Sequence, residues 1–227
     1  KLNKPGRITL AGLVCVAFVL GLAAYFARWV WIKRKESVVG WMQPPLLLAV
    51  CTGVSIISLS VIPLSTVDNI SSQSGRNMAC MAFPWLFCCG FSVVMTALFY
   101  KLWSVNRVFR PFRRASNNAS NGYIALASML FVNFALLLLW TLISPLEWVV
   151  QSVSQDEPWN LYGACVQERT AGWIFLVLAV TINFLALLAA LYQAFKARNI
   201  DPAFSISRSL LYALFSWIEI LIVGLPV

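Results

Sequence analysis

The sequence predicts an all-α fold, a polytopic transmembrane bundle of six helices, and three observations carry that prediction. Hydrophobic residues make up 60% of the 227-residue chain and charged residues only 11%, against about 25% charged in an ordinary soluble domain. The apolar residues gather into six continuous runs of the length a helix needs to cross a hydrocarbon core. None of these runs alternates in the manner of a barrel strand. The 17 Lys and Arg residues lie almost entirely outside the runs or near their ends.

The first span covers 8–32. It follows a basic start at Lys1, Lys4 and Arg7, but it is too long for a signal peptide. It also ends in aromatic and basic residues and lacks a small-residue cleavage site. The others cover 44–64, 78–103, 123–143, 172–195 and 210–227. No internal repeat recurs at a fixed period, which weakens an inverted-repeat transporter reading. The end of span one and the connection after it hold Arg28, Lys33, Arg34 and Lys35, and the end of span three and its connection hold Lys101, Arg107, Arg110, Arg113 and Arg114. Span five is followed by Lys196, Arg198 and Arg208. The opposite side has Lys1, Lys4, Arg7, Arg76 and Arg169, together with Asp68, Glu147, Asp156, Glu157 and Glu168. The positive-inside rule therefore sets the odd-numbered connections in the cytosol and the N-terminus outside. The net charge of +9 then meets anionic lipid of the inner leaflet rather than nucleic acid. The chain lacks an initiator Met and stops on an apolar run, so it reads as a portion of a longer protein.

Histidine is absent, which removes His-based acid–base chemistry, Ser-His-Asp and Cys-His nucleophile sites, and most zinc and haem sites. No span holds paired carboxylates or a metal-ligand set. The expectation is no enzyme, no cofactor and no metal. Glu219 in span six is the one clear acid at membrane depth, and it reads either as a hydrogen-bonded switch at a helix interface or as a snorkelling acid near the outer end. Asn133 and Asn183 read as inter-helix hydrogen-bonding residues.

Cys15, Cys51, Cys88 and Cys89 lie within spans and read as small buried hydrophobes. Cys80, at the outer end of span three, and Cys165, just before span five, both face the oxidising compartment. A bond between them would tie the outer loop at 144–171 across the top of span three. Asn69-Ile70-Ser71 is a glycosylation sequon on the outer side, whereas Asn118-Ala119-Ser120 lies in a cytosolic loop. Trp29, Trp31, Trp41 and Trp103 at inner ends, and Trp148, Trp159, Tyr162 and Trp173 at the outer side, read as interfacial anchors.

Span three and its continuation read Cys80-Met-Ala-Phe-Pro-Trp85-Leu-Phe-Cys-Cys-Gly90-Phe91, then Ala97-Leu-Phe-Tyr-Lys101-Leu-Trp103-Ser-Val-Asn106-Arg107-Val-Phe109. This resembles the third helix of class C G protein-coupled receptors, in the GABA-B receptor-like branch. Met42-Gln43-Pro44-Pro45-Leu46 with Gly53, Cys165, and Ala197-Arg198-Asn199-Ile200 match in the correct order. The resemblance implies a seven-helix core, of which this chain would carry six helices. It also implies an extracellular ligand domain upstream, a homo- or heterodimer in the plasma membrane, and a Cys80–Cys165 disulfide. Asn106, Arg107, Phe109, Arg110, Arg113 and Arg114 would fall in the loop that contacts a heterotrimeric G protein; the residue-level alternative is a polybasic loop facing lipid. Lys101 matches a Lys that pairs with an acid at the inner start of helix six. Here that acid falls near Ser207, and no Asp or Glu lies between Pro202 and Leu214, so Asp201 or a lipid phosphate stands as its partner. The competing reading is a transporter or channel subunit.

Overall fold

The computed structural model describes residues 6–36, 44–108, 119–152 and 161–197, and over these the fold is helical apart from one hairpin. The first apolar run forms α1 (Gly6–Lys33). Its buried residues, Val16, Ala23 and Val30, recur every seven positions and make a narrow seam against the next helix. Much of the rest of α1, including Phe18, Tyr25, Phe26 and Trp31, is exposed, as a lipid-facing helix requires. Cys15 is among these exposed residues, so it faces away from the bundle rather than into it. Its neighbours on either side, Val14 and Val16, divide between the lipid face and the seam.

The second predicted span is interrupted. It forms α2 (Pro44–Leu59) and the short α3 (Val61–Thr66), which breaks the expected single helix at Ser60. The Ser60 hydroxyl and backbone N–H both bind the Ile57 carbonyl, at 2.6 and 3.0 Å, and Pro63 has no N–H to continue the ladder. A 3-10 turn (Val67–Asn69) leads on to α4 (Gln73–Val108). Then come α5 (Ala119–Ile143), the antiparallel strands β1 (Glu147–Ser152) and β2 (Leu161–Val166), and α6 (Thr170–Ala197). Five of the six predicted spans are thus helical, four of them individually long and apolar enough to cross a membrane. The sixth, 210–227, lies outside the described residues.

The centre of the bundle is α4, which packs against α2, α5 and α6, while α1 rests on α2. Phe91, Val94, Met95, Leu98 and Leu102 of α4 meet Leu187, Ala190, Leu191 and Ala194 of α6, with Val50, Val54 and Ile57 of α2 behind them. Nearer the hairpin, Met81 and Cys88 of α4 pack with Leu137 and Trp140 of α5 and Ala179 of α6. A third cluster joins Val67, Cys80 and Trp148 beneath the hairpin. Water is absent from a bilayer core and lipid tails are as apolar as leucine, so shape fit and hydrogen bonds hold these helices together.

Candidate functional site

Three sets of contacts on α4 bear on function: one at the hairpin, one at mid-depth and one at the opposite end. At the hairpin, Cys80 and Cys165 are joined in a disulfide across 5.6 Å between Cα atoms. Trp148 stands opposite Cys165 in the strand register. Its backbone N–H donates to Asn77 Oδ1 (3.0 Å), and its carbonyl accepts from Gln73 Nε2 (2.8 Å). Both amide side chains stand on the first turns of α4, which continue beyond the apolar run to reach the strand. The Arg76 guanidinium lies over the Trp148 ring at 4.3 Å while its Nε donates to the Ile70 carbonyl at 2.7 Å.

Trp148 is only 5% exposed, which corrects its reading as an interfacial anchor. Its indole lies where a Cβ at Gly163 would stand, so only glycine on the neighbouring strand admits it. Trp148 Nε1 is buried without a hydrogen-bond partner among the described residues, which costs the desolvation of that N–H. On the neighbouring side, Gln167 is also buried. It accepts from Trp140 Nε1 (3.1 Å) and donates to Ser144 Oγ (2.8 Å), which ties the end of α5 to the approach of α6. Arg169 Nη1 binds the Ile143 carbonyl at 2.8 Å, satisfying an unpaired helix-end group with a cation.

At mid-depth α2 and α4 meet at glycines. A Cβ on Gly90 would come within 2.8 Å of the Gly53 carbonyl oxygen and 2.9 Å of the Ile57 nitrogen; one on Gly53 would stand 2.9 Å from the Gly90 oxygen. This is backbone on backbone, the close approach that small residues permit in membranes. On the other face of α4, Ser92 Oγ donates to Asn183 Oδ1 (3.2 Å), and Asn183 Nδ2 donates to Asn133 Oδ1 (3.1 Å) and to the Ala179 carbonyl (2.8 Å). All three side chains are buried, so one polar junction links α4, α5 and α6 as expected for Asn133 and Asn183. Asn183→Leu is expected to cost on the order of 1–2 kcal/mol, read as a lower thermal midpoint of the purified protein in detergent. Adding Asn133→Leu should cost little more, because both amides serve one junction; full additivity would show two independent contacts.

At the end of α4 opposite the hairpin, Lys101 is half-buried, and the one ion pair among the described residues joins Lys33 and Glu36 instead. Asn106 and Arg107 lie in the last turns of α4, with backbone alone described. Phe109, Arg110, Arg113 and Arg114 lie outside the described residues, as do Asp201 and Glu219. Asn69 closes the 3-10 turn before α4. The disulfide thus joins two of the expected residues; of the switch and loop residues only Lys101, Asn106 and Arg107 fall among the described ones. Missed by sequence reasoning were the hairpin and its fastening by Gln73, Asn77 and Gln167. A signal existed in Glu147-Trp-Val-Val-Gln-Ser152, a short run with adjacent β-branched residues after a proline.

Set beside known proteins, the chain is 22% identical over 198 residues to the Gamma-aminobutyric acid type B receptor subunit 2 of Caenorhabditis elegans, covering 85% of this chain and 24% of that protein. It is 24% identical over 221 residues to the Metabotropic glutamate receptor-like protein E of Dictyostelium discoideum, covering 93% of this chain and again 24% of the relative. The chain therefore spans about a quarter of the length of these relatives. The family described as "7 transmembrane sweet-taste receptor of 3 GCPR" matches residues 1–227. Its members are multi-pass membrane receptors rather than an enzyme class. With a match from end to end and helices over five of the six expected spans, the chain belongs to the class C G protein-coupled receptor transmembrane family.

Proposed function

We propose that this chain is the membrane core of a plasma-membrane receptor, N-terminus outside, that passes an extracellular ligand signal to a heterotrimeric G protein by repacking its helices within a dimer. The observation that carries the reading is the course of α4. Its 36 residues span about 54 Å at 1.5 Å per residue, from a disulfide-tied hairpin at one end to the basic, aromatic segment 104–114 at the other. One helix thereby connects the face that would sense an outer domain with the face that would meet a partner. Its mid-depth contacts, glycine on one side and three hydrogen-bonded side chains on the other, supply the discrete packing that a two-state element needs. No Asp or Glu lies within the described spans, which supports a receptor over a transporter.

On this reading Asn106, Arg107, Phe109, Arg110, Arg113 and Arg114 meet the G protein. The aromatic side chain would be buried in a partner groove and the arginines would be set against acidic groups. Lys101 and Glu219 belong to the conformational switch, and Asn69 carries an extracellular glycan. The activating ligand biases two packings that differ in G protein affinity, by 5- to 150-fold in typical allosteric systems. In the full receptor reconstituted with G protein, Arg107→Ala with Phe109→Ala is expected to lower ligand-stimulated nucleotide exchange about tenfold at unchanged surface expression. Unchanged exchange would remove this loop from the coupling face.

A further inference from the structure

The end of α1 with the residues just after it, and the first turn of α2, border an open crevice of about 450 Å³, at the end of the bundle opposite the hairpin. Val30, Pro45 and Leu48 supply an apolar floor, and Trp31, Arg34 and Lys35 belong to the same lining. The Arg34 guanidinium lies 4.2 Å over the Trp31 ring. That stacking holds the planar group in place while its in-plane N–H fork stays available to an oxygen ligand. Glu36, the one acid in this stretch of sequence, is already engaged by Lys33. Arg34 and Lys35 are thus left without a carboxylate partner among the described residues. The start of α2 adds the positive end of a helix dipole. Its first two residues are prolines and offer no N–H, so direct contacts to an anion fall to the side chains of α1.

We infer that this crevice binds one anionic glycerophospholipid of the inner leaflet, its headgroup phosphate between Arg34 and Lys35 and the start of an acyl chain against Val30, Pro45 and Leu48. The inner-leaflet assignment rests on the orientation proposed above. Charge complementarity selects the headgroup: two cations without a carboxylate partner among the described residues favour a lipid of net negative charge over phosphatidylcholine, which carries its own ammonium. The apolar floor selects a lipid over a free anion, since inorganic phosphate has nothing to place against Val30 and Leu48. Trp31 and Ile32, both more than half exposed, put the crevice at the depth of an aromatic belt, where lipid headgroups lie. Seated there, the lipid fills the space between α1 and α2 at the seam's last residue, Val30, and fastens a peripheral helix to the bundle.

The test is electron spin resonance of spin-labelled phosphatidylserine and phosphatidylcholine with the full receptor in lipid nanodiscs. A motionally restricted signal is expected with a preference for phosphatidylserine of roughly thirtyfold, the effect of two cations at about a factor of five each. Arg34→Gln with Lys35→Gln should abolish the preference. Arg113→Gln with Arg114→Gln removes the same charge from the same side and should leave it within about twofold. Leu48→Trp should fill the floor and remove the restricted signal without changing charge. An equal loss from both arginine-containing pairs would show diffuse surface attraction and overturn the site, as would a preference that survives Arg34→Gln with Lys35→Gln. Displacement by millimolar inorganic phosphate would reassign the crevice to a free anion. Lys35→Cys should react with a membrane-impermeant maleimide only after permeabilisation. Reaction in intact cells would overturn the leaflet and the orientation while leaving the lipid preference as a separate measurement.

Discussion

Gly90→Val is expected to unseat α2 from α4 and to lower the stability of the purified protein by about 2–4 kcal/mol. The added Cβ would meet the Gly53 oxygen at 2.8 Å and the Ile57 nitrogen at 2.9 Å. Both are backbone atoms of a helix, which have no rotamer to escape into, so the whole of α2 must move. Overpacking a tight core costs about 1–3 kcal/mol when side chains can yield, and here they cannot. In a bilayer no hydrophobic pressure pushes the helices back together, and a gap of under an ångström already forfeits a quarter to a half of each contact's dispersion energy. Gly90→Ala should show a smaller effect in the same direction. Gly53→Ala has more room to adjust, because its nearest clash is the Val94 Cγ2 at 2.6 Å, although the Gly90 oxygen still limits it. Gly21→Ala is the control: nothing lies within 4 Å of its added Cβ, and the gain in helix propensity is up to about 1 kcal/mol. Thermal midpoints in detergent, with surface expression in cells, rank the four variants. A Gly90→Val midpoint equal to that of Gly21→Ala would mean the two helices do not meet through these residues.

Much of the bundle was legible because crossing a membrane is a one-dimensional constraint. Span 172–195 and the observed α6 agree at both ends within two residues, since hydropathy alone sets that helix. Hydropathy places span three at 78–103, but α4 starts at Gln73 and continues to Val108. Gln73 and Asn77 look like loop residues to a hydropathy reading, and only their bonds to Trp148 explain why helix continues through them. Trp148 was misread for the same reason. An amphipathic aromatic near a span end normally anchors in the interface, and what buries this one is a glycine fifteen positions later on the paired strand. Gly53 and Gly90 were each visible inside a motif, but nothing in one dimension says that the two face each other. The disulfide was legible from topology because both cysteines lie on one side of the membrane, which leaves few partners to choose among. The switch was not: Lys101 lies in the described part of α4, whereas its candidate partners lie beyond residue 197.

Removing that disulfide with Cys80→Ala and Cys165→Ala is expected to release the hairpin while leaving the helix bundle folded. The bond closes 85 residues, for which chain-entropy reasoning gives about 4.6 kcal/mol in a soluble protein. That figure is an upper bound here, because α5 and α6 remain in the bilayer and keep the hairpin's two ends near α4 with or without the bond. What the bond fixes is the tilt and height of the strands on α4, and a loss of about 2 kcal/mol is expected. Hydrogen exchange reads this locally. The amides of Val149 and Ala164, paired in the strand register, should exchange about thirtyfold faster, while those around Ala190 at the fully buried α4–α6 contact should not change. Asn77→Ala added to the double variant should speed exchange further, because Asn77 and Gln73 then carry the remaining hydrogen bonds to the Trp148 backbone. On the receptor reading the same double variant uncouples the outer face from α4, so ligand-stimulated nucleotide exchange should fall while basal exchange persists. Unchanged protection of the strand amides would mean that Gln73, Asn77 and the Arg76–Trp148 stack hold the hairpin by themselves. A ligand response that survived the loss of protection would mean that the signal enters the bundle by a route other than α4.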